Sequence, residues 1–195
     1  MQKNNTRSSI LSAAVSLFSQ RGYDGVSMKK IAQAVNISAP ALYNHFKDKQ
    51  SIYNAAVADS FENKAQPLQQ ALSGNDKPIV RLQRFITSLC KSLADDPEFR
   101  RLVQRELLDE DEERLRHLAE DIFAPLFESM MDLLSELKPA ADTHMLAVII
   151  IGMVLKPYEF NPLGCFLSGS LSKHNNPVYI SQQVMELLDS YLGET

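Results

Sequence analysis

Tryptophan is absent from this 195-residue chain, cysteine occurs twice and glycine only seven times. The two cysteines, Cys90 and Cys165, lie far apart, with no partner at metal-ligand or redox spacing. They form no disulfide framework and are expected to be reduced, packed thiols. There is no glycine-rich phosphate loop, no His-Glu-x-x-His helix and no Gly-x-Ser-x-Gly elbow. His45, His117, His144 and His174 form no pattern with cysteine or serine, so no catalytic residue, metal ligand or cofactor site is assigned. The longest apolar run, Leu146 to Leu155, is about half of what a bilayer span needs, and the first residues carry no apolar signal core. These absences point to a cytoplasmic protein without a membrane partner.

What is present is helical. Apolar residues make up 45% of the chain and charged residues 23%, near the globular average, so neither disorder nor a fibre is indicated. Their spacing is helical almost throughout, with no convincing alternation of period two, which predicts an all-α fold of about nine helices. The first is expected from Thr6 to Gln20, closed by Gly22 at the position that favours a left-handed residue. Ser27 caps a second carrying Met28, Ile31, Ala32 and Val35 inward; Asn36 and Ile37 turn; Ser38 caps a third to Tyr43 or Asn44, with Pro40 in its first turn. Asp48 opens a long fourth to Leu72, with Pro67 inside. Asp76 and Pro78 start the fifth, and Asp96-Pro97-Glu98 the sixth. The seventh follows the acidic run 109–113 to Leu137, with a kink expected at Pro125. The eighth spans 140–155. A loop holding Pro157, Pro162 and Gly164 then leads to Asn176-Pro177 and the ninth.

Charge is unevenly spread. The chain carries −4 overall. Residues 1–50 hold seven cations against two acids, or +5, which leaves −9 for residues 51–195. A basic head on an acidic body suits a small polyanion-binding module, although so few charges also swing by chance. The division is expected at 1–48 for the head and 49–195 for the body.

The head has the mechanics of a helix-turn-helix: two short helices, a brief turn, Ala32 and Ala34 small enough for the contact and Ile37 to plug the angle. In such a unit the second helix enters the major groove. Here it offers Ser38, Ala39, Pro40, Ala41, Tyr43, Asn44 and His45, apolar atoms for thymine methyls and polar ones for base edges or phosphates. Ser27, Lys29, Lys30, Tyr43 and Lys49 suit phosphates. Phe46 reads better as packing between the head and the fourth helix.

The run Gly22-Tyr23-x-Gly25-x-Ser27, then Ile31-Ala32-x-x-Val35, Leu42-Tyr43-x-His45-Phe46 and Lys49, resembles the TetR family of bacterial transcriptional regulators. The resemblance covers residues 10–57; beyond it the likeness is one of length and helical pattern. It implies a homodimeric repressor on double-stranded operator DNA, released when a small molecule binds the C-terminal body. Position 30 departs from the capping-box pattern, Lys30 leaving Ser27 without an acidic partner.

In the body, the eighth helix is apolar nearly all round, with Leu146, Ile149, Ile150, Met153 and Val154. The ninth carries Ile180, Val184, Leu187, Leu188 and Tyr191 as a stripe. Leu146, Ile149, Ile150, Ile180, Val184, Leu187, Leu188 and Tyr191 are expected at a dimer interface; the alternative is that both helices pack inside one protomer. Phe99, Leu102, Glu106, Phe123, Phe127, Met130, Met153 and Tyr158 are candidates for a largely apolar effector pocket, though such stripes also build plain cores. Glu106 recognises a ligand or pairs with Arg105 or Arg101. Glu113, His117 and Asp121 stand at i, i+4 and i+8, a metal-ligand spacing that a solvated charged face explains more simply. Two other readings stay open: an all-helical binding protein or enzyme without DNA affinity, and an activator with the same head.

Overall fold

The computed structural model describes residues 2–192, with side chains from Thr6 onward. It is all-helical among the described residues: α1 (Gln2–Arg21), α2 (Met28–Ala34), α3 (Ala39–Tyr43), α4 (Lys49–Leu72), α5 (Pro78–Asp95), α6 (Pro97–Asp109), α7 (Glu112–His117), α8 (Ala124–Leu137), α9 (Thr143–Gly164) and α10 (Pro177–Leu192). A π-helical turn, Leu118–Phe123, joins α7 to α8 without a break, so the ten stretches form nine rods, the number the periodicity predicts. The irregularity expected at Pro125 falls one turn earlier: Pro125 sits in the first turn of α8, and the widened turn precedes it.

Most helix starts follow the predicted chemistry. Ser27 accepts from the Lys30 amide and Ser38 from the Ala41 amide, each at 3.3 Å. Asp48 accepts from the Ser51 amide at 2.7 Å while the Asp48 amide donates to Ser51 Oγ at 3.3 Å, a reciprocal box. The bond from the Ser51 amide to the Asp48 carboxylate, ahead of all other causes, holds that carboxyl below its ordinary pKa. Asn176 accepts from the Val178 amide at 2.9 Å and so opens α10. Asp76 does not cap α5. Lys77 holds that position without a side-chain bond, and Asp76 instead pairs with Arg84 at 2.8 Å, because a guanidinium is the stronger partner for an exposed carboxylate.

The largest departure is α9. It does not stop near Leu155 but continues through Pro157 and Pro162 to Gly164, where a loop was expected. Each proline removes one intrahelical donor. The extension is anchored by Tyr158, whose hydroxyl donates to the Cys90 carbonyl on α5 at 2.8 Å. By length and hydropathy alone this 22-residue helix would suffice to cross a membrane, which the shorter expected helix would not. Its own Leu146, Ala147, Ile150 and Val154 are buried against the rest of the chain.

By packing, the chain forms two compact units. One comprises residues up to 63 together with 97–122; the other comprises residues 64–96 and those from 123 on. A division at residue 48 therefore separates the helix-turn-helix from the remainder, whereas packing groups it with the start of α4, with α6 and with α7. The core of the first unit includes Ile10, Phe18, Ile31, Leu42, Ile52 and Tyr53. In the second, Leu82, Phe85 and Ile86 of α5 are buried, as are Leu133 and Leu134 of α8, Ile150 of α9 and Leu188 of α10. Cys90 is packed there, and burial pushes its thiol up to about 12. Cys165 is exposed, contrary to the expectation of a packed thiol, because it lies past the last anchored turn of α9.

Candidate nucleic-acid interface

The helix-turn-helix is held from behind by aromatic rings. Phe18 meets Tyr53 edge-on at 4.8 Å, and Tyr23 meets Tyr53 edge-on at 5.1 Å. Two glycines shape the turn that follows α1. Gly22 closes α1 with φ +70° and its amide on the Phe18 carbonyl at 2.9 Å. A Cβ on Gly25 would lie 2.3 Å from the Arg21 carbonyl oxygen, so no other residue fits without moving backbone. Asn36 takes φ +55° in the turn, and the Ile37 amide donates to the Ala32 carbonyl at 3.0 Å. Ala32 is the buried small residue between the helices; Ala34, expected beside it, is exposed because it falls on the opposite side of α2.

On α3, Leu42 is fully buried and fixes the orientation of the rest. Ser38, Pro40, Tyr43 and Asn44 are exposed, with Ala39, Ala41 and His45 half-buried. Tyr43 presents 53% of its surface to solvent, far more than a packing tyrosine keeps. Phe46 is buried, with the Arg7 guanidinium 5.0 Å over its ring.

The cations divide into two kinds. Lys29 is exposed. Lys30, also exposed, donates from its ammonium to the Gly25 carbonyl at 2.7 Å. Lys49 donates to the Tyr23 carbonyl at 2.9 Å, with its ammonium 3.9 Å over the Tyr23 ring. These two hold the head's own loop as well as carrying charge. Arg7 and Lys47, absent from the sequence-derived set, flank Phe46 in space and in sequence, and both are exposed. Arg7 lies 39 residues away along the chain, so only folding reveals its place.

The remaining candidates separate. Phe99, Leu102 and Glu106 are in the first unit and buried. Glu106 is 2% exposed and pairs neither with Arg105 nor with Arg101: it accepts from the Tyr53 hydroxyl and from Arg114 Nε, the latter at 2.9 Å. Arg105 instead donates to the Ser19 carbonyl at the end of α1. Phe123, Phe127, Met130, Met153 and Tyr158 are in the second unit, Met130 fully buried and the others half-buried. Of the whole set only Met153 lines the groove of about 490 Å³ between α9 and α10, with Phe160, Tyr179 and Leu187 among its other walls. Of the interface candidates, Leu146, Ile150, Ile180, Val184 and Leu188 are buried within the unit, while Ile149, Leu187 and Tyr191 are exposed. His117 and Asp121 form an exposed pair at 2.5 Å, and Glu113 is exposed one turn before.

Two short capped helices across a tight turn, the second exposing an uncharged polar surface on a head that also carries exposed cations, have the geometry of a helix-turn-helix. Residues 10–56 match the sequence profile of the bacterial regulatory proteins of the tetR family. The biofilm operon icaADBC HTH-type negative transcriptional regulator IcaR of Staphylococcus aureus (strain Newman) is 45% identical over 53 residues, covering 27% of this chain and 28% of that protein. The likeness thus spans little more than a quarter of the curated relative's length. Over the full chain the similarity is one of fold. A TetR-like regulator from Rhodococcus sp. RHA1 superposes with a TM-score of 0.77 at 18% identity, covering 100% of both chains. The fatty acid degradation regulator FadR from Bacillus halodurans gives 0.76 at 19%, covering 100% of this chain and 98% of that one.

Proposed function

We propose that this protein is a cytoplasmic, dimeric DNA-binding transcriptional regulator, acting as a repressor that a small molecule releases from its operator. The observation that carries this reading is the exposed face of α3, with Tyr43 and Asn44 outward, on a head of the tetR family. Repression is favoured because IcaR, 45% identical over 53 residues of the head, is named a negative transcriptional regulator. Phosphate contacts fall to Ser27, Lys29, Tyr43 and the backbone start of α3, and base contacts to Ser38, Ala39, Pro40, Ala41, Asn44 and His45. Lys30 and Lys49 add charge while holding the loop.

One such head exposes few base-reading side chains, so specificity requires two. The face that pairs two copies is the exposed one: Met145, Val148 and Ile149 of α9 with Leu187 and Tyr191 of α10. Ile149 is 49% and Leu187 61% exposed, whereas the buried members of the two stripes seal the protomer's own core. For the effector, Phe123, Phe127, Met130, Met153 and Tyr158 remain the apolar candidates, in a unit rich in aromatic and methionine side chains.

Selection of genomic fragments on the purified protein tests the reading. A regulator captures a small set of promoter fragments and holds them in a salt-sensitive, sequence-specific manner. Fragments captured at random, or ligand binding with no DNA affinity, would favour the carrier or enzyme reading instead.

A further inference from the structure

Between the last turn of α1 and the start of α2, three backbone carbonyls are held by cations from three helices. The Ser19 carbonyl accepts from Arg105 of α6 at 3.2 Å, the Tyr23 carbonyl from Lys49 of α4 at 2.9 Å and the Gly25 carbonyl from Lys30 of α2 at 2.7 Å. Cations suit the C-terminal end of a helix such as α1. The Gly25 carbonyl receives no backbone amide among the described residues, so the Lys30 ammonium is its partner. The Tyr23 carbonyl also takes the Val26 amide at 3.3 Å, which closes a turn over 23–26. Lys49 is half-buried, its ammonium on that carbonyl and 3.9 Å over the ring of the same residue. Lys29, next to Lys30 in the chain, is exposed and bonds to nothing else among the described residues.

We infer that Lys30 and Lys49 are positioning residues for DNA binding: they lock the 23–26 turn to α2 and α4, and so aim α3, instead of bonding phosphates. The inference rests on the DNA-binding reading above and divides the head's cations by role. In the chain α3 lies between α2 and α4, so tying the starts of those two helices to one turn fixes the recognition surface they bracket. To reach a phosphate Lys49 would have to leave both a carbonyl and a ring face, and Lys30 would give up the Gly25 carbonyl. Lys29 has no such bond to give up and takes the phosphate role. The two roles differ in what they contribute. A phosphate contact strengthens binding to every sequence and adds to its salt dependence. A positioning contact counts only where α3 is docked on its bases.

Titrating variants of the full chain with a captured promoter fragment and with a scrambled version, each across a range of salt, tests this. Lys29→Met is expected to weaken both fragments alike and to lower the salt slope by about one unit per head. Lys30→Met and Lys49→Met are each expected to weaken the promoter fragment about tenfold at every salt concentration. Their salt slope is expected to be kept and the scrambled fragment to bind nearly as before. Lys49→Arg, whose guanidinium can take the same carbonyl and ring face, is expected to bind the promoter fragment as the unaltered chain does. If the Lys30 and Lys49 methionine variants weaken both fragments alike and lower the slope, the two lysines are phosphate contacts and the inference is overturned. Loss of both fragments together with a lowered thermal transition, or a Lys49→Arg variant as weak as Lys49→Met, overturns it as well. Equal affinity of the unaltered chain for the two fragments overturns the DNA-binding reading itself, and the division of the cations with it.

Discussion

The hydroxyl of Tyr53 donates its hydrogen bond to Glu106, joining the first half of α4 to α6 through two buried side chains. The second oxygen of Glu106 takes the Arg114 guanidinium at 2.9 Å. Arg114 lies 4.9 Å over the Tyr53 ring and reaches Asp111 at 3.0 Å and Asp109 at 3.5 Å. Tyr53 in turn stands edge-on to Tyr23, whose backbone Lys49 holds. Polar contacts and one ring–ring contact therefore connect the α6–α7 segment to the loop preceding the helix-turn-helix.

Breaking one end of that network leaves a carboxylate stranded. Arg114→Met is expected to cost about 3–5 kcal/mol, because the Glu106 charge keeps its desolvation penalty and loses its counter-charge. Adding Glu106→Leu is expected to restore most of the loss. Urea unfolding of both variants checks this; a single variant within about 0.5 kcal/mol of the unaltered protein would show that the pair contributes nothing.

Gly25→Ala is expected to abolish ordered packing of the head, since its Cβ would press on the Arg21 carbonyl oxygen. Gly22→Ala meets only the flexible Arg105 side chain at 3.1 Å and pays for its left-handed backbone, about 1–2 kcal/mol. The thermal transition should drop for both, further for Gly25→Ala. The reverse order would mean that the backbone conformation, not the close approach, is the constraint.

The two thiols should differ sharply. Cys165 is exposed and is expected to react with a thiol reagent in the native protein. Cys90, its thiol raised to about 12 by burial, is expected to react only after unfolding. Two thiols titrating at equal rates in the native state would contradict the packing around α5.

Because Asp48 titrates lower in the folded head than in the unfolded chain, its cap is fully present above the ordinary carboxylate range. Its contribution is lost as pH falls through the depressed folded value. Asp48→Asn should therefore flatten the acid limb of the head's stability curve, measured by circular dichroism from neutral to acid pH. A curve as steep as that of the unaltered protein would place the acid sensitivity elsewhere.

Much of this was legible in the sequence for physical reasons. Caps and turns are local, so Ser27, Ser38, Asp48 and Asn176 announced their helices, and Gly22 marked the left-handed end of α1. Partners on different elements, or across a helix boundary, were not legible. Glu106 and Arg114 are separated by a helix boundary, Arg7 and Phe46 by the whole head, and Asp76 looked like a cap until Arg84 was placed beside it. Proline rules set the end of α9 too early, because Tyr158 on Cys90 holds the turns that Pro157 weakens. The outward and inward stripes of α9 and α10 were not separable by pattern, since a helix apolar on most sides shows no single face.

Within the head, Tyr43→Ala is expected to weaken binding to every DNA sequence, while Asn44→Ala should relax base preference by about 1–3 kcal/mol at one position. Unchanged binding by both would remove α3 from the interface.

The central claim is tested most directly by titrating the purified protein with a captured promoter fragment and with a scrambled version, at about 50 to 200 mM salt. The account predicts specific binding about a thousandfold or more tighter than to the scrambled fragment, with the logarithm of affinity falling linearly against that of salt. Equal affinity for the two fragments, or binding indifferent to salt, would contradict it.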